Sequence, residues 1–379
     1  MSVPSKRKPS DDPMQKADGM NYAPEFSGQA EKVVGPGEFR FSVIGLDHGH
    51  IFAMTNGLLE AGAEIRQVYD PDESKVRAFI ERYPAAAAAE SEEEILASGV
   101  QLVASAVRPD MRGLLSVRIM KAGKCAFVDK PGFLTVDDLK EIEKTRRETG
   151  MKYYIYFGER VHVEGAVCAE KLIDEGKVGR VLNVTNLAPH RLNAPTRPGW
   201  FWDCGKNGSI LIDLGSHQIE QFLTYSGSKT GRVVSASMKN FANPEHPDFY
   251  DFGDCHIEGD SGATCYFRVD WFTPDGMGAW GDGRTFVTGT DGCIEVRKYI
   301  DVARSSEADH VYFTDAEGEH LIEAHGKYGF EYFGKIILDC LKGTDDAIDP
   351  AVTLEAMRLA IEAAEIAKEV TRDIAKEKK

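Results

Sequence analysis

Cysteine is scarce in this sequence, and its distribution excludes two kinds of site. Seven cysteines are scattered over 379 residues, and no two of them form a Cys-x-x-Cys pair. An odd, dispersed set argues against a disulfide scaffold and against a cysteine-based zinc site. Because free cysteines are typical of a reducing compartment, we expect a cytoplasmic protein.

Long apolar runs and excess positive charge are also absent. No run approaches the length that crosses a bilayer, and no apolar segment follows the basic residues near the N-terminus, so we expect neither a membrane span nor a secretory signal. The formal net charge of −16 disfavours nucleic acid or an anionic membrane as a partner. A dinucleotide is still compatible, because local backbone donors hold that ligand.

The length and the hydrophobic pattern predict two domains after a polar extension. Residues 1–38 carry no sustained period, and we expect them to be disordered or draped on a neighbour. From 39 to 157, short apolar strands alternate with helices, which predicts an NAD-binding Rossmann domain with a parallel sheet covered on both faces.

From 158 to 379, longer alternating strands separated by glycine- and aspartate-rich turns favour an antiparallel sheet in a substrate-binding domain. This second domain would be of mixed α and β structure. Its predicted strands are Val181–Leu187, Val233–Met238, Thr264–Trp271, Thr285–Thr288, Ile294–Arg297 and His310–Phe313.

A glycine turn follows the first predicted strand, where a Rossmann domain holds a pyrophosphate. The turn runs from Gly45 to His50, but Asp47 and His50 stand where the second and third glycines of the dinucleotide fingerprint are expected. The turn alone is equally compatible with a strand-to-helix connection in which Asp47 or His48 caps the helix. A metal site is disfavoured, because the donors are packed into four consecutive residues, and we expect no metal.

Asp70 shifts the balance towards a dinucleotide. It ends the second predicted strand 25 residues after Gly45, where a carboxylate would hydrogen-bond the adenine-ribose hydroxyls and repel a 2′-phosphate. This favours NAD over NADP. The alternative is a turn aspartate before Pro71.

Two further patterns carry chemistry. Lys130 lies at the carboxyl end of a predicted parallel strand, where it could hold a substrate hydroxyl, although an exposed strand-end lysine is the alternative. Asp213 and His217 are four residues apart, so they share one face of a helical turn and could transfer a proton. The alternative is a helix-start aspartate beside a packed histidine.

In this order and spacing, the chain resembles the glucose–fructose oxidoreductase/inositol dehydrogenase/MocA family, written Gfo/Idh/MocA. The resemblance covers about residues 39–370. It rests on the glycine turn, Asp70, Asp129–Lys130–Pro131 (the family's Glu-Lys-Pro), Glu159–Arg160, and Asp213-x-Gly215-x-His217-x-x-Glu220 (the family's Asp-x-Gly-x-His-x-x-Asp).

The resemblance implies a Rossmann domain followed by a domain with a large open, mostly antiparallel sheet that often serves oligomerisation, so we expect a homodimer or homotetramer. It also implies hydride transfer between NAD and a secondary hydroxyl of a sugar, a cyclitol or a derivative. Lys130 would polarise that hydroxyl, His217 would be the general acid/base, and Asp213 would position the substrate or His217. The residues expected at the cofactor are Gly45, Asp47, His48, Gly49, His50, Asp70, Arg108, Asp129 and Lys130.

Two departures from the family pattern stand out. The family's Thr-Pro-Asn-x-x-His is here the segment from Arg108 to Gly113. Arg108 could therefore bind an anionic substrate group, contact the cofactor or cap a strand end. Asp47 brings bulk and charge to the phosphate loop, which implies a shifted or tightly held cofactor.

Four residues are candidates for substrate contact. Trp200 and Trp202 could stack on a sugar face, and core packing or a subunit contact is the alternative. His190 could reach substrate hydroxyls, and the alternative is a solvent-exposed polar residue; Arg160 is a further candidate for substrate binding. Two rival functions are a redox-neutral glycosidase or lyase with tightly bound NAD, and a non-catalytic NAD or sugar sensor. The sensor is disfavoured because both proton-handling residues are present.

Overall fold

The computed structural model describes residues 21–377, and it describes side chains as far as residue 368. Residues 1–20 of the predicted polar extension lie outside this range. The chain divides into two compact units. The first, called the Rossmann unit here, contains Tyr22–Tyr156 and Phe330–Thr353; the second, called the sheet unit, contains Phe157–Gly329 and the chain from Leu354 onward. The limits 39–157 and 158–379 stay a prediction for the domains.

The Rossmann unit is built on six parallel strands in the order β3-β2-β1-β4-β5-β6. The strand order reverses between β1 and β4, and in open α/β sheets this switch point is where ligands bind. The elements are β1 (Arg40–Leu46), α1 (His50–Glu60), β2 (Glu64–Tyr69), α2 (Glu73–Arg82), β3 (Ala87–Ala88), α3 (Glu92–Ala97), β4 (Leu102–Ala106), α4 (Pro109–Lys121), β5 (Cys125–Asp129), α5 (Val136–Thr149) and β6 (Tyr153–Tyr156).

Apolar composition explains the central strands. Every residue of β4 and β5 is buried, as a sheet covered on both faces requires. Side-chain caps begin the neighbouring helices α2, α3 and α5, where Asp72, Ser91 and Thr135 accept backbone N–H groups. Local sequence thus fixes where these helices start, and burial fixes the strands between them.

The sheet unit contains eight strands in the order β14-β13-β12-β11-β7-β10-β9-β8. Only the β7–β10 pair is parallel among the pairs of this described sheet. The elements are α6 (Gly158–Val161), α7 (Glu164–Asp174), β7 (Val181–Pro189), α8 (Cys204–Asn207), α9 (Ile210–Asp213), α10 (Gly215–Ser226), β8 (Gly231–Lys239), β9 (Phe252–Gly259), β10 (Thr264–Asp270), β11 (Arg284–Gly289), β12 (Cys293–Arg297), β13 (His310–Asp315) and β14 (Gly318–Glu323). The predicted fold class is confirmed.

Polar contacts pin α10 to this sheet. Thr285 Oγ1 on β11 donates to Asn186 Oδ1 on β7 at 2.6 Å, and Asn186 Nδ2 donates to the Gln218 carbonyl at 3.4 Å. Thr285 Oγ1 also lies 3.3 Å from Gln221 Oε1 of α10. The helix that carries His217 is therefore fixed by hydrogen bonds as well as by apolar packing.

Two helices close the chain, α11 (Glu331–Lys342) and α12 (Pro350–Glu377). Helix α11 belongs to the Rossmann unit, where the ring of Phe333 packs so closely on α1 that a Cβ on Gly57 would lie 2.4 Å from it. Tyr332 Oη donates to the Ile155 carbonyl of β6 at 3.2 Å. The sheet of this unit is thus covered by a helix that comes from near the end of the sequence.

The described part of the predicted extension also lies on the Rossmann unit. Ala23 is buried, and Asn56 Nδ2 of α1 donates to the carbonyls of Ala23 and Pro24 at 3.1 and 3.2 Å. The Val33 N–H donates to the Ala61 carbonyl at 3.0 Å. Residues 22–38 are therefore held by backbone and side-chain hydrogen bonds.

Candidate functional site

The glycine turn after β1 requires glycine at its first position. Gly45 has φ +85°, and a Cβ there would lie 2.0 Å from Val107 Cγ1. A side chain would be strained by the backbone and would clash with the segment after β4. The turn therefore lies close to the end of the neighbouring strand β4.

Asp70 ties this turn to the end of β2. Its buried carboxylate accepts the Leu46 N–H at 2.7 Å through Oδ2 and the Asp72 N–H at 2.9 Å through Oδ1. Two backbone bonds leave a carboxylate with further acceptor capacity, so the predicted role at a ribose is compatible with this position.

Asp47 is held by two partners, the Arg108 N–H and the Lys75 ammonium. Its Oδ2 accepts the Arg108 N–H at 2.9 Å, and its Oδ1 lies 2.6 Å from Lys75 Nζ. Lys75 therefore offsets the charge that Asp47 brings to the loop. The Arg108 side chain forms a fork with Asp110, at 2.6 and 3.0 Å, so its guanidinium already has a carboxylate partner.

The alternative in which Asp47 or His48 caps the first helix is wrong. The N-cap of α1 is Gly49, and no side chain caps it. Gly49 packs against Tyr22, whose ring would lie 2.7 Å from a Cβ at this position. His48 turns to another partner, because its imidazole and that of His50 both face Asp129.

Asp129, Arg112, His48 and His50 form what we call the Asp129 cluster. His50 Nδ1 lies 2.8 Å from Asp129 Oδ1, and His48 Nδ1 lies 2.8 Å from Oδ2. Burial lowers the pKa of His48 to about 4, and the neighbouring His50 adds to this effect. Burial opposes ionisation of Asp129, but Arg112 and the two imidazoles outweigh it and hold the pKa of that carboxyl well below its usual range.

Arg112 is a buried residue of this cluster to which the sequence analysis gave no role. This buried side chain donates to the carbonyls of Val107, Lys130 and Pro131 and, at 3.0 Å, to Asp129 Oδ2. Its guanidinium therefore fixes the backbone on either side of the predicted catalytic lysine. The sequence signal for Arg112 is the altered segment from Arg108 to Gly113, which contains two arginines.

The Asp129 cluster also has donors of the kind that bind metals. The donor atoms of His48, His50 and Asp129 lie within 4.8 Å of one another. Arg112, however, donates to the same Asp129 oxygen that His48 contacts, and a cation would compete with it. The expectation of no metal is not tested by this geometry.

In the sheet unit, Asp213 and His217 are placed on consecutive helices. Asp213 ends α9 and His217 lies in the first turn of α10, joined by Leu214 with φ −92° and ψ −35°. Both side chains are buried, at 7% and 3% exposure, and the Phe157 ring lies 6.1 Å from the His217 ring. Their predicted roles stay predictions.

A second buried set, the Glu159 cluster, consists of Glu159, Lys298, Gln218 and His190. Glu159 Oε2 accepts from Lys298 Nζ at 2.9 Å and from Gln218 Nε2 at 3.0 Å, and Oε1 lies 3.7 Å from His190 Nε2. The sequence reasoning proposed His190 for substrate but gave no role to Lys298, which follows β12 without any motif.

The other predicted substrate residues have internal partners. The Arg160 guanidinium lies 2.6 Å from Glu220 and 2.7 Å from Glu170, and although burial opposes its charge, these carboxylates raise the pKa of Arg160 well above its usual range. Trp202 stacks on His246 with ring centres 4.0 Å apart, and Trp200 is half-buried in the 3-10 turn Gly199–Trp202. Substrate contact by these residues stays a prediction.

Comparison with known proteins finds a family match in each of the two units. Residues 39–157 match the oxidoreductase family with an NAD-binding Rossmann fold, and residues 167–295 match the GFO/IDH/MocA C-terminal domain. The chain belongs to the Gfo/Idh/MocA family. The resemblance inferred from the sequence is confirmed, and so is the NAD-binding character of the Rossmann domain.

Individual relatives agree with this assignment. The solved structure of a provisionally assigned oxidoreductase from Erwinia carotovora atroseptica SCRI1043 is 39% identical, has a TM-score of 0.84, and covers 87% of this chain and 99% of that chain. The scyllo-inositol 2-dehydrogenase (NAD(+)) of Bacillus subtilis (strain 168) is 25% identical over 261 residues, which are 68% of this chain and 73% of that protein.

Other curated relatives match over a shorter stretch. The D-xylose dehydrogenase of Paenarthrobacter nicotinovorans is 22% identical over 152 residues, which are 38% of this chain and 39% of that protein. The match thus spans less than half the length of this relative. Within residues 21–377, no helix combines the length and apolar character needed to cross a bilayer.

Proposed function

We propose that this chain is an NAD-dependent oxidoreductase that transfers hydride between a nicotinamide cofactor and a secondary hydroxyl of a sugar, a cyclitol or a sugar derivative. The observation that carries the proposal is the position of Lys130. It directly follows β5, at the same carboxyl edge of the parallel sheet as the glycine turn after β1. Ligands of open α/β sheets bind at this edge.

The residues of the chain divide the chemistry between them. The Lys130 ammonium would hold the reacting hydroxyl and stabilise negative charge on its oxygen. His217 would take the hydroxyl proton on its imidazole, and Asp213 would orient His217 or the substrate. When bound, the nicotinamide supplies the acceptor for the hydride that leaves the substrate carbon.

The glycine turn fits the dinucleotide. Gly45 leaves no room for a side chain at the strand end, and Asp70 presents a buried carboxylate beside the turn. A carboxylate in this position favours the ribose hydroxyls of NAD over the 2′-phosphate of NADP. We propose that the turn, Asp70 and Arg108 together form the cofactor-binding surface, and that the buried Asp129 supports it by holding His50 and the Lys130 N–H.

Turnover of a panel of sugars and cyclitols, followed by the absorbance of reduced nicotinamide, tests the function. We expect K130A and H217A each to lower kcat by about 10²- to 10⁴-fold while NAD binding by calorimetry persists. K121A and H320A change exposed residues of the same types and should keep wild-type turnover.

Two outcomes would contradict the proposal: no NAD(H) binding by the purified protein, or unchanged turnover in K130A and H217A. Release of an aglycone from a glycoside without net formation of NADH would instead support the redox-neutral alternative. Binding of NAD with no turnover across the panel would support a sensor.

The cellular setting and assembly are part of the proposal. All seven cysteines are free, which supports a cytoplasmic location, and the net charge of −16 supports a small-molecule partner and no nucleic acid.

We further propose a homodimer or homotetramer formed through the outward face of the eight-stranded sheet. Tyr266, Phe286 and Leu321 lie in one row across that face, and Tyr266 and Leu321 are 39% and 51% exposed. Light scattering on the wild type and on Y266R measures the assembly.

A further inference from the structure

One oxygen of a buried carboxylate in the sheet unit accepts no hydrogen bond from the described residues. Glu159 is 5% exposed, and its Oε2 accepts from Lys298 and Gln218. Among the residues that the structure describes, none donates a hydrogen bond to Oε1. A buried anionic oxygen without a donor is costly, so such an oxygen is retained where a donor arrives in the working state.

Lys298 stabilises the negative charge of this carboxylate through one of its two oxygens. Lys298 is 1% exposed and lies 2.9 Å from Oε2. Burial opposes ionisation of Glu159, but Lys298, followed by His217 and His190, outweighs it and holds the pKa of the carboxyl well below its usual range. Glu159 is therefore an anion at neutral pH, with one oxygen neutralised and the other still able to accept.

His190 is the side chain placed to meet Oε1. Its Nδ1 lies 3.1 Å from the Ala188 carbonyl, which can only accept, so the proton of the neutral ring belongs on Nδ1. Its Nε2 then faces Glu159 Oε1 at 3.7 Å. The rings of Trp280 and Trp271, at 4.4 and 5.5 Å, hold the imidazole in this orientation.

A neutral imidazole in this orientation turns a lone pair towards an anion, whereas a protonated one donates to it. The arrangement thus favours the protonated ring. His217 precedes Gln218, which donates to the same carboxylate. Burial raises the pKa of Glu159, and the electrostatic influence of His217 and of His190 lowers it. Both histidines therefore interact with one anion.

We propose that Glu159, balanced by Lys298, is a positioning residue that stabilises a proton on His190 and His217. The inference rests on the proposed dehydrogenase function, in which the proton of the substrate hydroxyl ends on His217. The anion of Glu159 lowers the cost of that new positive charge, and His190 fills the open place on Oε1.

Other charged side chains on the elements around these histidines are engaged elsewhere. Asp270 at the end of β10 accepts the Phe272 N–H at 3.0 Å and lies 3.1 Å from Arg268. The Arg191 guanidinium after β7 donates to three backbone carbonyls, those of Pro274, Met277 and Ala279. Asp213 lies one helical turn before His217 and acts equally in the variants compared below.

The test follows the histidine ring protons by NMR in full-length protein carrying ¹³C-labelled histidine, with H190Q and H217Q used to assign the two signals. We expect E159Q to move both titration midpoints down by about one pH unit, a tenfold loss of proton affinity. K298M removes the balancing cation and should move them up. The double variant E159Q/K298M removes both buried charges and should lie between the two.

E220Q is the matched control, because it neutralises another buried carboxylate paired with a cation, on the same helix as His217. Its midpoints should equal those of the wild type. Unchanged midpoints in both E159Q and E159Q/K298M, or shifts of the same sign in E159Q and K298M, would overturn the proposal. If a single variant does not fold, the double variant and E159D, which keeps the charge, decide the question.

The NMR measurement needs no turnover, so it separates this inference from the proposed function. In an active enzyme, the acid limb of the kcat profile should move with the midpoint of His217, and KM should change little. E159D should restore the wild-type limb in part. Shifted titration midpoints of the histidines, with no turnover of any sugar or cyclitol tested, would contradict the dehydrogenase proposal. They would still support the role of Glu159.

Discussion

The two units each bury a carboxylate beside a cation and histidines, but they use it differently. In the Asp129 cluster, Oδ1 meets His50 and the Lys130 N–H, and Oδ2 meets Arg112 and lies against His48. In the Glu159 cluster, one oxygen takes both donors.

The cations of the two clusters, Arg112 and Lys298, also differ in how many groups they bind. The Arg112 fork reaches three carbonyls besides its carboxylate, whereas Lys298 contributes a compact charge. A fully bonded carboxylate with a guanidinium fixes backbone. A carboxylate that is paired with an ammonium and has one oxygen without a donor is suited to stabilising a neighbouring histidine that gains and loses a proton.

The largest expected effect comes from breaking the Asp129 cluster at its cation. R112M would leave Asp129 buried without its counter-charge and three carbonyls without a donor, so we expect a loss of about 3–5 kcal/mol in the free energy of unfolding. Urea unfolding followed by circular dichroism measures it. R112K keeps the charge but not the fork and should fall between R112M and the wild type. A loss below about 1 kcal/mol in R112M would contradict the anchoring role.

The second largest effect is a pH dependence of stability that comes from His48 of the Asp129 cluster. The folded chain keeps His48 neutral down to a pKa of about 4, whereas the unfolded chain takes up this proton near 6.5. The unfolded state therefore binds more protons between these values, and stability should fall as the pH drops through this window, by about 3 kcal/mol in total. The contribution of Asp129 is lost only at lower pH, because its pKa is depressed.

Urea unfolding at several pH values between 7 and 4.5 measures this dependence. H48Q should flatten it, while H320Q, at an exposed position, should leave the wild-type slope. An equal slope in H48Q and the wild type would show that another group carries the dependence.

The smallest effect is expected outside both clusters, at the half-exposed pair of Lys75 and Asp47. Because water screens this pair, K75M should cost about 0.5 kcal/mol of stability, and the difference should vanish near 1 M salt. A cost comparable to that of R112M would erase the distinction between buried and exposed pairs.

The sequence pattern predicted the architecture because the central Rossmann strands are short apolar runs between helix signals. The prediction missed the exposed two-residue strand β3 and two strands of the sheet unit. β9 contains Gly253 and Asp254, which are uncommon in strands, and only its pairing with β8 and β10 makes it one. β14 is a largely exposed edge strand with little apolar alternation.

The site residues also divide into those that the sequence could locate and those that it could not. The locations of Gly45, Asp70 and Lys130 follow from strand ends, which the sequence marks. Arg112 and Lys298 could not be assigned, because their carboxylate partners lie 17 and 139 residues away in the chain and nothing local shows that their charges are buried. Long-range pairing, not residue type, decides their role.

The return of α11 to the Rossmann unit has a consequence for biosynthesis. This helix leaves the ribosome only after residues 157–329 have been made, which takes roughly 10–35 seconds at ordinary elongation rates. Throughout that interval the surface of α1 around Gly57 lacks its Phe333 cover. The Rossmann unit thus receives α11 only after most of the sheet unit has been translated, and in the interval it has an apolar surface that a chaperone can hold.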